Sequence, residues 1–229
     1  MATNIKKLVL VSPGGLKGFY TLGILNYLRN HYDMSQYIYS GASAGAWNSL
    51  LMCTNRDTKY VNNFIESLFV PVSRTKSIEE IQYLLKHKTL ENFDSTDFDF
   101  TKLHIGVTKV TKKKLQTEIY SNFTDLPDAI DCCMGSSHIP LVTGKLIHRY
   151  KNNIVLDGAL GSYPYLPNGH VVLHIKPDMW VSQPKSMVYN FVDAFTIGNN
   201  NMEKLYWSGF TDAEKNSRCF RHLKIIKKN

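Results

Sequence analysis

Ser43 stands in the stretch Gly41-Ala42-Ser43-Ala44-Gly45, a G-x-S-x-G pattern. A serine flanked by small residues at that spacing can be lifted onto a sharp strand-to-helix turn, where its Oγ attacks an ester or amide carbonyl. The same serine can instead do no more than cap the helix that follows. Nucleophilic chemistry needs two further parts. A base must take the hydroxyl proton, because serine is a weak nucleophile without one. Preorganised N–H donors must hold the oxyanion.

The chain offers candidates for both. Asp157, in "LDGAL", stands at the end of an apolar run and before Gly158. A carboxylate at a strand's carboxyl end can point into the cleft that receives Ser43, although Asp-Gly is also a common turn. For the oxyanion, "SPGGLKG" places Gly14, Gly15 and Leu16 where a strand meets a helix. Glycines there allow close backbone approach, and the helix N-terminus adds a positive dipole end; the plain alternative is an ordinary Gly-rich loop. Of the eight histidines, none sits in a triad motif. His138, before Ile139-Pro140, and His174, inside an apolar run, are the histidines considered as bases.

These residues need elements to hold them. Lys6–Ser12 reads as a strand buried on both faces. Gly18 to His31 reads as a helix, with Phe19, Leu22, Leu25 and Leu28 on one stripe. Gln36–Ser40 is a short strand and Ser43–Thr54 a helix. A third helix fits Lys59–Phe69, with Pro71 marking its end. A fourth fits Ser77–His87, opened by the capping box "SIEE". "NFDSTDFDF" at 92–100 reads as a polar connector. "KLHIGVTKV" and "KLQTEIY" suggest an antiparallel hairpin, and Asp125–Met134 a helix with Pro127 in its first turn. "NIVLDGAL" ends a strand at Asp157, "HVVLHI" at 170–175 is another strand, and helices fill most of Lys185 to Lys215. Alternating strands and helices favour one α/β domain over residues 1–229, with a largely parallel central sheet and helices on both faces.

Composition agrees. A hydrophobic share of 43% and a charged share of 20% over 229 residues suit an ordinary globular domain. No apolar run reaches the roughly 20 residues of a spanning helix, and "LVLV" is too short for a signal sequence. The four cysteines (Cys53, Cys132, Cys133 and Cys219) have no metal-ligand spacing, which suits reduced thiols in the cytosol. The formal charge of +8 is partly local, in "TKVTKKK" at 108–114 and "RHLKIIKK" at 221–228. Such runs usually mark solvated faces, and an anionic lipid surface is the main alternative. The aromatic-interleaved pattern of a nucleic-acid module is not met, so no nucleic acid is expected.

Taken in order, the Gly loop at 12–18, G-x-S-x-G at 41–45 and D-G-A at 157–159 resemble the three signatures of the patatin-like phospholipases. "CCMGSSHIPLVTG" resembles the block with Ile-Pro that precedes D-G-[GA] in that family, and "LYWSGFTDAEK" at 205–215 is more loosely similar to a late helix of its animal branch. The resemblance carries motifs over residues 5–165; residues 166–229 would complete a strand and the C-terminal helices. One departure stands out. Ser12-Pro13 occupies the place of Asp-Gly or Ala-Gly, and Pro13 has no N–H to offer.

The resemblance implies a three-layer α/β fold and a catalytic dyad without histidine. Ser43 attacks a lipid ester, Asp157 accepts its proton and later activates water, and Gly14, Gly15 and Leu16 hold the oxyanion. Gly18, Gly41, Gly45 and Gly158 are the motif glycines. It implies no cofactor and no metal. The expected substrate is a phospholipid, lysophospholipid or acylglycerol, met by a cytoplasmic protein peripheral to a membrane or lipid droplet. Three other readings stay open: a Ser-His-Asp α/β-hydrolase, an acyltransferase using the same acyl-enzyme, and a membrane- or nucleic-acid-binding module with a vestigial site.

Overall fold

The computed structural model describes residues 7–161, 170–180, 195–197 and 201–226. Its centre is a seven-stranded sheet. In chain order the strands are β1 (Lys7–Val11), β2 (Tyr37–Ala42), β3 (Leu103–Val110), β4 (Leu115–Tyr120), β5 (His148–Tyr150), β6 (Asn153–Leu156) and β7 (His170–Ile175). They lie side by side as β5-β6-β3-β2-β1-β7, with β4 on the other edge of β3. The pairs β1–β2, β1–β7 and β2–β3 are parallel, whereas β3–β4, β3–β6 and β5–β6 are antiparallel. Only β4 and β6 therefore run against the rest, and the sheet is mostly parallel. Every residue of β2 and all but Lys7 of β1 are buried, so both faces of the sheet centre are covered.

The helices are α1 (Gly18–His31), α2 (Ala44–Met52), α3 (Thr58–Ser73), α4 (Ile78–Asn92), α5 (Leu126–Ser136) and α6 (Met202–Lys215). The first matches its sequence limits. Three others run past theirs, α5 by the two residues to Ser136 and α3 and α4 by more. Pro71 lies inside the last turn of α3. A proline costs a helix the bond its own nitrogen would have donated, and here the chain continues two residues further before Arg74 N–H closes on the Pro71 carbonyl. In α4 Ser77 caps Glu80 N–H, while the Glu80 carboxylate reaches back to Lys76 N–H rather than to Ser77. That helix continues to Asn92, where Tyr60 donates to the freed carbonyl.

The connector at 92–100 is not simply polar. Asp94 and Asp99 cap two short 3-10 turns, and these turns tuck Phe93 and Phe98 into the core. Of the helical stretch expected at 185–215, residues 185–194 and 198–200 lie outside the described residues. The final part, α6, packs on α1 through paired glycines. A Cβ on Gly23 would lie 2.0 Å from the Tyr206 carbonyl oxygen, and one on Gly209 would lie 1.9 Å from that of Tyr20. The two backbones approach closely because neither contact face carries a side chain there.

Candidate active site

One edge of β3 is shared by two strands. Ala42, the last residue of β2, is level with Gly106. Leu156, the last residue of β6, is level with Thr108. The two strands run toward each other along that edge, so the residues that follow them meet in the gap. Those residues are Ser43 and Asp157. Gly158 lets the second chain in: a Cβ there would lie 2.3 Å from the Gly106 carbonyl oxygen and 2.6 Å from Ala42 Cβ.

Ser43 sits between β2 and α2 with φ 54° and ψ −130°. A non-glycine residue in that region is strained by about 1–3 kcal/mol and persists only where its surroundings enforce it. Three features enforce it. A Cβ on Gly41 would lie 2.1 Å from the Gly45 carbonyl oxygen, so the turn closes on itself only with glycine. A Cβ on Gly45 would lie 2.3 Å from the Val11 carbonyl oxygen, so α2 reaches the end of β1 only with glycine. Ser43 N–H donates to Ser136 Oγ at 2.8 Å, and Ser136 Oγ donates to the Gly106 carbonyl at 2.6 Å. Ser136, fully buried at the end of α5, ties the turn to β3. Nothing in its sequence setting singled it out; the only signal was its place in the block before the D-G-A stretch.

The Ser43 side chain makes no capping bond to α2. Its hydroxyl is close enough to the Asp157 carboxyl to favour that group's ionised form. Asp157 is buried, 3% exposed. Its own N–H donates to the His138 carbonyl at 2.7 Å, and its Oδ1 accepts from Ala159 N–H at 2.8 Å. Burial pushes the carboxyl up from 3.8 to about 6, against the opposing pull of the Ala159 hydrogen bond and the Ser43 hydroxyl. A carboxylate so poised is a stronger base than an exposed one, yet it is mostly ionised at neutral pH.

The Gly loop closes the third side. Gly15 has φ 53°, and residues Gly15–Lys17 form a 3-10 turn leading into α1. Among the described residues, the N–H groups of Gly14, Gly15 and Leu16 have no acceptor. Gly15 and Leu16 line the same cavity as Ser43, whereas Gly14 does not. A Cβ on Gly14 would lie 2.8 Å from Pro177, so that glycine serves close packing beneath the loop. Ser12 anchors the loop to β7, through its N–H to the Ile175 carbonyl at 2.9 Å and its Oγ to His174 Nε2 at 2.8 Å. Gly18 fixes the distance to α2, since a Cβ there would lie 2.5 Å from Ala44 Cβ.

The cavity beside Ser43 has an accessible volume of about 100 Å³. Its walls come from α1, α2, α3 and α4 and are almost wholly apolar: Leu16, Phe19 and Leu22, then Trp47, Leu50 and Leu51, then Phe64, Leu68, Ile81 and Leu85. Gln82 and Ser137 are among the few polar groups, and both are tied up, Gln82 Nε2 to the Ser137 carbonyl and Ser137 Oγ to Trp47 Nε1. Among the described residues, no histidine lines it. His138 lies behind Asp157, its ring 5.6 Å from that of His148, and His174 is engaged with Ser12. Among the described residues, no group of three or more His, Cys, Asp or Glu side chains is arranged to hold a metal ion.

The fold, a mostly parallel sheet with a serine elbow facing an Asp-Gly turn, meets its class in the comparisons. The family model described as Patatin-like phospholipase matches residues 10–166, and the chain belongs to that family. It is similar to human patatin-like phospholipase domain-containing protein 4, with 28% identity over 137 residues that cover 50% of this chain and 53% of that protein. The chain thus spans about half the length of this curated relative. Among solved structures it is similar to VipD from Legionella pneumophila, with TM-score 0.39 and 13% identity over 73% of this chain and 48% of that one.

Proposed function

We propose that the protein is a lipid acyl hydrolase with a Ser43–Asp157 dyad. The observation that carries this reading is the Ser43 hydroxyl beside a buried carboxylate, at the wall of an apolar cavity, with no capping bond to occupy it. Asp157 withdraws the proton as Ser43 Oγ attacks the ester carbonyl. The carbonyl oxygen becomes an oxyanion beside the N–H groups of Gly15 and Leu16. When the tetrahedral intermediate collapses, protonated Asp157 delivers its proton to the departing alcohol oxygen. An acyl-enzyme remains on Ser43. Asp157, again a carboxylate, then takes a proton from water, whose oxygen attacks the acyl carbon; as the bond to Ser43 breaks, Asp157 returns that proton to Ser43 Oγ and the fatty acid leaves.

The cavity suits the acyl chain. Burying a chain against leucine and phenylalanine is favourable by about 0.8 kcal/mol per methylene, and the helix walls exclude water from the bond under attack. The substrate class is a phospholipid, lysophospholipid or acylglycerol drawn from a membrane or droplet surface facing the cytoplasm. Labelling with a fluorophosphonate probe, followed by a panel of lipid esters, tests the proposal. Wild-type protein should be labelled and should release fatty acid, and Ser43→Ala should do neither. Labelling that persists in Ser43→Ala would move the nucleophile elsewhere.

A further inference from the structure

We propose that the loop from Ile139 to Ile147, together with the β3–β4 turn, is the surface by which this protein docks on an anionic lipid bilayer. The inference rests on the lipid-hydrolase reading above for its purpose, but not for its test. The loop leaves the end of α5 directly behind the site, since the His138 carbonyl holds Asp157 N–H. It presents four large apolar side chains to solvent: Leu141 is 79% exposed, Leu146 62%, Ile147 51% and Val142 45%. Leu160, three residues past Asp157, adds a fifth at 50%. Apolar side chains grouped in this way on an otherwise ordinary surface mark an interaction site.

The exposure is built rather than slack. Thr143 is buried under the loop, where its Oγ1 donates to the Ser137 carbonyl and accepts from Ile139 N–H at 2.7 Å. The His138 ring lies under the loop's far half, its Nδ1 3.7 Å from where a Cβ on Gly144 would stand. Leu141 itself has φ 64°, a conformation that an L-residue adopts at a cost, and it holds the side chain outward.

Charge decides the partner. Gly106 of β3 is level with the end of β2, and β3 continues four residues to Val110. At about 3.3 Å per residue, the β3–β4 turn stands roughly 13 Å beyond the catalytic edge on the same side. Its exposed tip carries Lys112, Lys113 and Lys114, flanked by exposed Val110 and Leu115. Lys145 lies within the apolar loop. Of the acidic groups nearby, Glu118 is paired with Lys109 at 3.6 Å, and Glu79 lies under Gly144. Leucines to enter the acyl region and lysines to meet the phosphates suit an anionic bilayer. The other basic run has no part in this. Its described residues lie at the far end of α1, where Ile225 bridges Tyr32 and Lys224 pairs with Asp33 at 3.0 Å.

The test is flotation with vesicles of phosphatidylcholine alone and of phosphatidylcholine with phosphatidylserine, in the Ser43→Ala background so that no lipid is consumed. The parent should float with the anionic vesicles and much less with the neutral ones. Lys112→Glu, Lys113→Glu and Lys114→Glu together should weaken binding at least tenfold, given about fivefold per cation near such a surface. Leu141→Asn with Leu146→Asn should also weaken it at least tenfold, from lost apolar burial. In the active background both sets should hydrolyse a soluble short-chain ester within twofold of wild type, which shows that fold and site survive. Equal binding to neutral and anionic vesicles, or unchanged binding by either variant, overturns the proposal. Loss of ester hydrolysis by the wild type, with vesicle binding intact, would instead remove the hydrolase reading and leave the docking surface standing.

Discussion

Ser43 and Asp157 meet because two strands converge head to head on one edge of β3, with Ala42 opposite Gly106 and Leu156 opposite Thr108. The distance between Ser43 and Asp157 is thus set by sheet register rather than by a flexible loop. A slip of one residue in either strand would turn its side chains to the other face. This arrangement fixes what substitutions at the site should do.

Ser43→Ala should abolish ester hydrolysis, by about 10⁶ in kcat if it behaves as other serine nucleophiles do. Ser43→Gly should be equally inactive, yet more stable than wild type by about 1 kcal/mol, because glycine accepts the positive φ without strain. Denaturant midpoints of the two variants check the second half; equal midpoints would show that the turn is unstrained.

Asp157→Asn should be nearly as inactive, and its stability should depend on pH with a defined sign. Burial raises the Asp157 pKa from 3.8 to about 6. Its contribution to stability is therefore fully present below pH 4 and lost as pH rises through 6. Wild type and variant should differ little at pH 4. At pH 8 the variant should be the more stable, by up to about 3 kcal/mol, since it no longer buries a charge. Thermal melts at the two pH values read this directly.

The same group predicts an acidic limb in the rate. Hydrolysis requires Asp157 as the carboxylate, so kcat/KM for a soluble ester should fall as pH drops through about 6. No single histidine substitution should remove that limb. A histidine variant that did so would return the site to the Ser-His-Asp class.

Ser136→Ala should leave both Ser43 N–H and the Gly106 carbonyl without their side-chain partner. An unmet buried donor costs about 1–3 kcal/mol. The variant should lose stability in that range and lose kcat with little change in KM, because it loosens the nucleophile rather than the acyl cavity. A fall in KM-dependent binding alone would contradict this role.

Leu85→Trp should narrow the cavity from the half-buried side of α4. Long-chain esters should then be hydrolysed more slowly relative to short-chain ones, measured as a ratio of kcat/KM values. An unchanged ratio would place the acyl chain elsewhere.

Much of this was legible in the sequence, and the limits have physical reasons. Ser43, Asp157 and the Gly loop lie in contiguous motifs, and α1 was bounded by the spacing of its leucines. The antiparallel run of β6 was not legible, because strand direction leaves no trace in hydrophobic alternation. Ser136 was hidden for another reason: a lone serine next to a serine has no pattern, and its role exists only across 93 residues of chain. Phe93 and Phe98 were masked by the acidic residues around them, which serve as caps. The two basic runs looked equivalent as composition, and only the direction of α1 and β3 separates them, one beside the site and one at the opposite end.

The glycine contacts between α1 and α6 set the order in which the molecule can come together. Gly23 rests on Tyr206, and Gly209 rests on Tyr20, nearly two hundred residues apart in the chain. Contacts of such separation form late, because a long loop must close first. The helix that carries the Gly loop at its start therefore has no completed seat until residues 202–215 have been synthesised. The Ser43 turn is already written near the N-terminus, but the Gly loop is unsupported until the late helix arrives.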